Sequence, residues 1–403
     1  MPTLENYNHF AGTHWETGTV RNFMAQRGFT APHTGEPFSE ALLMGVSGGL
    51  VMGYFTFLYE GYDPQCNILT RNTFDPLDTM LSRLGVIQEI LQTAKAERAV
   101  KNLINTLEEG QPAIVWADMW SLPYNGLSYD EGMWGSMPIL VYGYEEEKNL
   151  VTIADRARVP LTVTPEELAT ARGRVKKIKN RILTLQAPNP DKLAAAVHLG
   201  LCDTVRLFTE KPPKGSKNNF GLNAYQYWAK MLRMPKQRLS WEKQFGAGLP
   251  MYAGLKSAYE FAFLFGKDDN QDAERTMYAS FLDEAALLLN QPALKDAARG
   301  FRKSGEAWRQ FAYTLLPTEV QPFAATRELM WNRHQLFLEQ GGAALDEILS
   351  INARLADIRA AMKTGFPLNQ AQVEAHRERM AAQLLLIHDL EAEAIAALQA
   401  AVS

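Results

Sequence analysis

The hydrophobic pattern of this chain changes character once, at Gln186-Ala187-Pro188-Asn189-Pro190. Before that segment, runs with strand-like alternation are interleaved with runs of helical period. After it, apolar residues recur only at helical spacing. Two prolines so close together interrupt either kind of regular structure, because proline fixes φ and lacks the N–H that a ladder needs. The pattern predicts an α+β domain with a mostly antiparallel sheet over residues 1–186, then an all-α region. A length of 403 residues also exceeds what one core ordinarily spans. The helical region divides in turn into a domain over 187–320 and a long helical extension over 321–403.

Within the first part, Trp15 to Arg27 reads as an amphipathic helix with Val20, Phe23 and Met24 on one face and Gly28 as its stop. Ser39 caps a short apolar helix, and Gly48-Gly49 turns into the alternating run Tyr54-Phe55-Thr56-Phe57-Leu58-Tyr59. The stretch Ala41–Tyr59 carries no charge and is long enough to cross a bilayer. Gly45, Gly48, Gly49 and Gly53 and the alternating end instead predict a buried helix, a turn and a core strand, so no membrane span is expected. Asp75-Pro76 starts a helix, and Ala94 to Glu109 forms another that Gly110 ends. Strands are expected at Ala113–Ala117, Ile139–Tyr144 and Leu150–Ala154, the last two as a hairpin through Glu145–Asn149. Thr164-Pro165-Glu166-Glu167 starts a helix, and Lys176–Leu185 reads as a further strand.

Beyond the linker, helices are expected over Asp191–Thr209, Ala224–Met234, Met251–Phe265, Ala273–Leu289 and Gln291–Leu315, with a polar loop at Pro212–Asn219. From Pro322 three long helices follow, separated at Gly341-Gly342 and Gly365-Phe366-Pro367. The third carries a stripe of Val373, Met380, Leu384, Ile387, Ala394 and Leu398, broken by Glu391. Such a stripe serves either a homodimeric coiled coil or a bundle packed on its own chain, and periodicity does not separate the two.

A net charge of −4 gives no basis for nucleic-acid binding. The two cysteines exclude a disulfide framework and a Cys-rich zinc site, and they fit a reducing cytoplasm. The polar stretch Met1–Asn8 lacks a signal-type segment. Cys66, in a loop, and Cys202, on an apolar helix face, read as buried inert thiols. His9 and His33 lie in polar loops, and His198, His334, His376 and His388 lie on helices without paired spacing, so no metal site is expected. Ser47-Gly48-Gly49-Leu50 lacks the lysine of a phosphate loop, and no cofactor is expected. The run Arg172, Arg174, Lys176, Lys177, Lys179 and Arg181 is either a solvated strand face or a docking site for an acidic partner.

Several segments carry a resemblance: Gly12-Thr13-His14-Trp15-Glu16-Thr17, Ser39-Glu40-Ala41-Leu42 with Ser47-Gly48-Gly49-Leu50, Ala117-Asp118-Met119-Trp120-Ser121-Leu122-Pro123-Tyr124, and Trp134-Gly135-Ser136-Met137 through Ile153-Ala154-Asp155. In the helical part, Tyr278–Ala285 and Ala307-Trp308-Arg309 add to it. In this order they resemble the butirosin biosynthesis protein H family (BtrH-like), whose papain-like N-terminal domain precedes a helical domain of unknown function. The resemblance implies transfer of an acyl or aminoacyl group from a carrier-protein thioester to an amine in natural-product biosynthesis. An acyl carrier protein or a pathway enzyme would be the partner, and Arg174, Lys176, Lys177 and Lys179 the residues that receive it.

That chemistry needs a Cys nucleophile, a His base and an acid that orients the His. Carried over position by position, the Cys falls on Trp15, the His on Met137, and the acid is kept as Asp155. Tryptophan cannot ionise or attack a carbonyl, and without a thiolate an imidazole has nothing to deprotonate. The paired loss implies a remodelled cleft lined by Trp15, Asp118, Tyr124, Trp134 and Met137. His14 and Glu16 flank Trp15 and are either a replacement acid–base pair or structural groups at a helix start. Thr13 and Thr17 read as caps, and Asp118 as either a loop-holding acid or an amine contact. Three functions follow as expectations: a degenerate scaffold member, an enzyme with cysteine-free acyl-transfer or cyclisation chemistry, and a binder of an apolar ligand.

Overall fold

The structure, a computed structural model, describes residues 2–210 and 218–402, so the polar loop expected at Pro212–Asn219 falls mostly outside it. The chain opens with α1 (Trp15–Gln26), α2 (Glu40–Val46), β1 (Leu50–Phe57), β2 (Gln65–Arg71), α3 (Pro76–Arg83) and β3 (Gln88–Leu91). Next come α4 (Ala96–Glu108), β4 (Ala113–Asp118), β5 (Ser136–Glu145), β6 (Leu150–Ala154), β7 (Leu161–Val163), α5 (Pro165–Gly173) and β8 (Ile182–Leu185). Helices alone follow among the described residues. They are α6 (Leu193–Thr209), α7 (Gly221–Arg233), α8 (Trp241–Gln244), α9 (Leu249–Phe263), α10 (Arg275–Leu288), α11 (Leu294–Leu315), α12 (Gln321–Gln340), α13 (Leu345–Ala361) and α14 (Gln370–Val402). The α+β part with its antiparallel sheet and the all-helical part thus appear as the pattern predicts. No helix of the described residues is long and apolar enough to cross a membrane.

Two compact units form, each drawn from three segments of the chain. One holds Met1–Leu43, Leu77–Leu193 and Arg333–Ser350. The other holds Met44–Pro76, Ala194–Asn332 and Ile351–Ser403.

The first unit is built on a six-stranded antiparallel sheet of order β3-β8-β4-β5-β6-β7. Its centre is the β4–β5 pair, in register from Ala113↔Val141 to Asp118↔Ser136, with Ile114, Val115, Ile139, Leu140 and Val141 buried. Helices α1, α4 and α5 pack on these central strands. The start of α5 is a full capping box. The Thr164 hydroxyl accepts from the Glu167 N–H, and the Glu167 carboxylate accepts from the Thr164 N–H. One expectation is corrected here. Lys176–Leu185 is not one strand, because Lys176–Ile178 is a 3₁₀ turn and Lys179 and Asn180 are left-handed at φ 53° and 47°. The buried Arg172 holds this turn by donating to the Asn180 carbonyl at 2.8 Å.

In the second unit β1 and β2 form a two-stranded antiparallel ribbon, with α7 packed on β1 and α9 on β2. Tyr54 of β1 stacks on Trp228 at 4.9 Å and its hydroxyl accepts from the Trp241 indole at 2.9 Å. Gly45 and Gly200 let α2 and α6 cross closely, since a Cβ on Gly200 would stand 2.1 Å from the Gly45 carbonyl oxygen. Helix α14 lies along α7 and α11, and all six residues of its stripe are buried within the chain. The stripe therefore packs on its own chain. At the break in the stripe, Glu391 accepts hydrogen bonds from Arg275, Tyr225, Ser304 and Trp308 at 2.7 to 3.2 Å.

Candidate functional site

The site is built around the N-terminus of α1. Helix α1 starts at Trp15 with His14 as its N-cap, and the His14 ring makes no cap of its own. A carboxylate from α2 supplies the missing acceptor. Glu40, buried, accepts from the backbone N–H of Thr13 at 2.7 Å and of His14 at 2.8 Å. It also accepts from the hydroxyls of Thr13 and Thr17 at 2.9 and 3.1 Å. A negative group at a helix N-terminus satisfies orphan donors and complements the helix dipole. His14 Nδ1 lies 3.2 Å from the Thr17 oxygen and 3.6 Å from Glu40. Thr17 has one proton and gives it to Glu40, so its oxygen accepts from the His14 Nδ1–H. Glu16 is half-buried in the first turn of α1. The buried Thr13 and Thr17 are tied to Glu40, consistent with capping roles.

Trp15 is buried, at 2% exposure, and a cation lies on it. The Arg156 guanidinium is 4.4 Å from the Trp15 ring centroid and 4.6 Å from that of Phe337, so it is held between two aromatic rings. Its N–H groups reach Asp155 at 3.3 Å and the Asn125 side-chain oxygen at 2.6 Å. The buried Tyr124 hydroxyl donates to Asp155 Oδ2 at 3.2 Å, the same oxygen that one of the Arg156 N–H groups reaches. Burial and the adjacent Asp155 charge push the Tyr124 phenol well up, so it stays a donor. Trp15, Tyr124 and Asp155 are thus brought together, with Arg156 as their common element.

Met137 is half-buried on β5, paired across from Ala117. Thr19, one turn along α1 from Trp15, donates to the Pro138 carbonyl at 3.1 Å and so fixes α1 against this part of β5. Asp118 is fully buried and holds loops. It accepts from Ser121 at 2.7 Å and from the Gly135 N–H at 2.8 Å, with Arg174 at 4.0 Å. Trp134 is 53% exposed and is met by the Lys177 ammonium, 5.6 Å from its ring, whereas Arg156 lies on Trp15 and Phe337.

The basic run divides in two. Arg174 lies 4.4 Å from the centre of the Tyr129 ring and donates to the carbonyls of Asp130 and Glu131 at 2.6 and 3.2 Å, so it clamps the loop before β5. Arg172 is buried, and Arg181 lies 4.5 Å from the Trp116 ring. Lys176, Lys177 and Lys179 remain exposed.

Sequence reading missed Arg156, Asn125, Phe337 and Glu40. The only signal for Arg156 is its place beside Asp155. Phe337 arrives from α12, whose end joins this unit through an Arg158 N–H to Leu338 carbonyl bond of 2.7 Å. The thiols also need correction. Cys66 lies on β2, not in a loop, and burial pushes its thiol pKa well up. Cys202 is half-exposed rather than buried, with its sulfur 3.6 Å from His198 Nε2 one helical turn away on α6. Among the described residues no group of three or more His, Cys, Asp or Glu side chains is arranged to hold a metal ion.

Residues 14–156 match the family model for butirosin biosynthesis protein H, N-terminal, so the match runs from the N-cap of α1 to the arginine that covers Trp15. Residues 275–326 match a domain of unknown function, DUF4872. The comparison with curated proteins found no match. With the first match on the part of the chain that carries the site and the second in the helical region, the two matches are consistent with a BtrH-like family.

Proposed function

We propose that this chain is a BtrH-like protein in which the position of the acyl-transfer nucleophile has become a closed structural site, and that it serves a biosynthetic assembly as a scaffold or binding partner. The observation that carries the reading is Arg156. In a thiol acyltransferase the acid would orient an imidazole. Here Asp155 is engaged by Arg156 and Tyr124, and Arg156 in turn lies on Trp15. The acid is neutralised and the aromatic face covered by the same cation. The sheet with α1 packed against its central strands supports a papain-like reading of the N-terminal domain. The exposed Lys176, Lys177 and Lys179 support docking of an acidic partner of the carrier-protein kind, by charge complementarity.

A second reading, cysteine-free chemistry in the same cleft, draws support from His14, whose Nδ1 is oriented by Thr17 and Glu40 in the manner of an acid–base dyad. An apolar ligand between Trp15 and Met137 is less favoured, because Arg156 occupies the Trp15 face. The test offers the full chain a holo carrier protein loaded with an acyl thioester, with and without amine acceptors. Carrier binding without product supports the scaffold reading. Product that disappears in His14→Ala supports the second reading and ends the first.

A further inference from the structure

The sheet of the first unit ends at β3, and that edge is unlike an ordinary protected one. Strand β3 pairs only with β8 among the described residues. The Gln186 N–H donates to the Ile87 carbonyl at 3.0 Å, and the register continues through Glu89↔Thr184 and Leu91↔Ile182. In an antiparallel ladder alternate residues direct their backbone groups to the same neighbour. Ile87, Glu89 and Leu91 therefore bond towards β8, while the N–H and C=O groups of Gln88 and Ile90 face outward.

The side chains along this edge are apolar and uncovered. Ile87, Ile90 and Leu91 are 58%, 47% and 45% exposed. Proteins usually blunt a free edge with charge, proline or a bulge, because it templates pairing with another strand. The one charge on the strand, Glu89, is turned to β8, where Gln186 donates to it at 2.9 Å. At the C-terminal end of β3 the Thr93 N–H donates to the Lys179 carbonyl at 2.8 Å and the Asn180 amide donates to the Thr93 carbonyl at 3.1 Å. These bonds fasten the Lys176–Lys179 turn to the end of the edge. Among the described residues no carboxylate stands within 4.0 Å of the exposed Lys176, Lys177 or Lys179 ammonium groups.

We infer that the free edge of β3 docks an extended, acidic segment of a partner protein, which adds a strand to the sheet and sets its carboxylates against Lys176, Lys177 and Lys179. Outward backbone groups would supply affinity, the exposed apolar side chains would grip alternate residues, and the lysines would select acidic sequences. The inference rests on the acidic-partner element of the proposed function and adds how that partner is held.

A short fluorescein-labelled peptide of alternating Glu and Val, with a Lys–Val peptide as control, tests it on the full chain by anisotropy and hydrogen exchange. Saturable binding of the Glu–Val peptide alone is expected, with slowed exchange at Gln88 and Ile90. Ile90→Pro removes an outward N–H without touching the β8 ladder and should weaken binding at least tenfold. Joint replacement of Lys176, Lys177 and Lys179 by Glu should weaken it as much, and it needs no change in the strand. Equal binding of both peptides would overturn the charge assignment. Binding lost with the lysines but unaffected by Ile90→Pro would overturn edge docking while leaving an acidic partner in place. Absence of any peptide binding overturns the inference, and so does protection of Gln88 and Ile90 through self-association of the chain, which would make a second copy the occupant.

Discussion

Arg156 does three things at once: it covers Trp15, neutralises Asp155 and ties Asn125 into the cluster. Asp155 is 4% exposed, so the pair is largely removed from water. Removing one partner of such a pair leaves a buried charge with only hydrogen bonds to support it. Arg156→Ala is therefore expected to lower stability by about 3 kcal/mol, read as a lower urea midpoint. Arg156→Ala combined with Asp155→Asn should cost less than Arg156→Ala alone, because the second change removes the uncompensated charge. A double variant no better than the single one would mean that ring packing, not ion pairing, is what Arg156 contributes. None of this was legible beforehand. A pattern of apolar positions places Trp15 at a helix start, but it carries no information about which charged side chain crosses the fold to lie on it. The same holds for Glu40, whose sequence neighbours mark only the start of its own short helix.

Helix α14 shows how one element mixes apolar and ionic packing. Its stripe was legible from spacing, and so was the break at Glu391. The reason for the break was not, because it lies on other helices. Burial works against the Glu391 charge, but Arg275 and the hydrogen bonds around it outweigh that cost and hold the carboxyl below its usual range. Glu391→Gln is expected to destabilise by about 3–5 kcal/mol, since Arg275 is fully buried and would lose its counter-charge. A Glu391→Leu, Arg275→Met pair should recover much of this, and a double-mutant cycle in urea measures the coupling. One helical stretch earlier on α14, His376 is fully buried near Phe323. Burial, reinforced by Arg379, lowers its pKa from 6.5 to about 4. Between those values the unfolded chain binds a proton that the folded chain refuses, so stability falls as pH drops through that window and this group has no effect above it. The loss below the window is about 3 kcal/mol, and urea midpoints across pH 7 to 4 should lose this slope in His376→Gln. An unchanged slope would assign the pH sensitivity to another group. Among strands, β2 escaped notice because Gln65, Asn67 and Thr70 dilute its apolar alternation, although Cys66 and Ile68 are buried.

At the scale of the whole molecule, the order of fold types was legible because period alone distinguishes strands from helices. The composition of each compact unit was not. The β1–β2 ribbon lies early in the chain but packs on α7 and α9, and residues 333–350 return to the sheet-bearing unit. Sequence distance says nothing about such returns, yet one of them delivers Phe337 to the site. The proposed function requires that the nucleophile position be closed, with no other side chain in its place. The direct measurement is intact mass of the full chain after exposure to an acyl-pantetheine thioester, in a Cys202→Ser background so that the half-exposed thiol of α6 takes no part. An unchanged mass is expected. An acyl adduct mapping to Thr13, His14 or Thr17 would mean that a nucleophile remains and would overturn the closed-site reading.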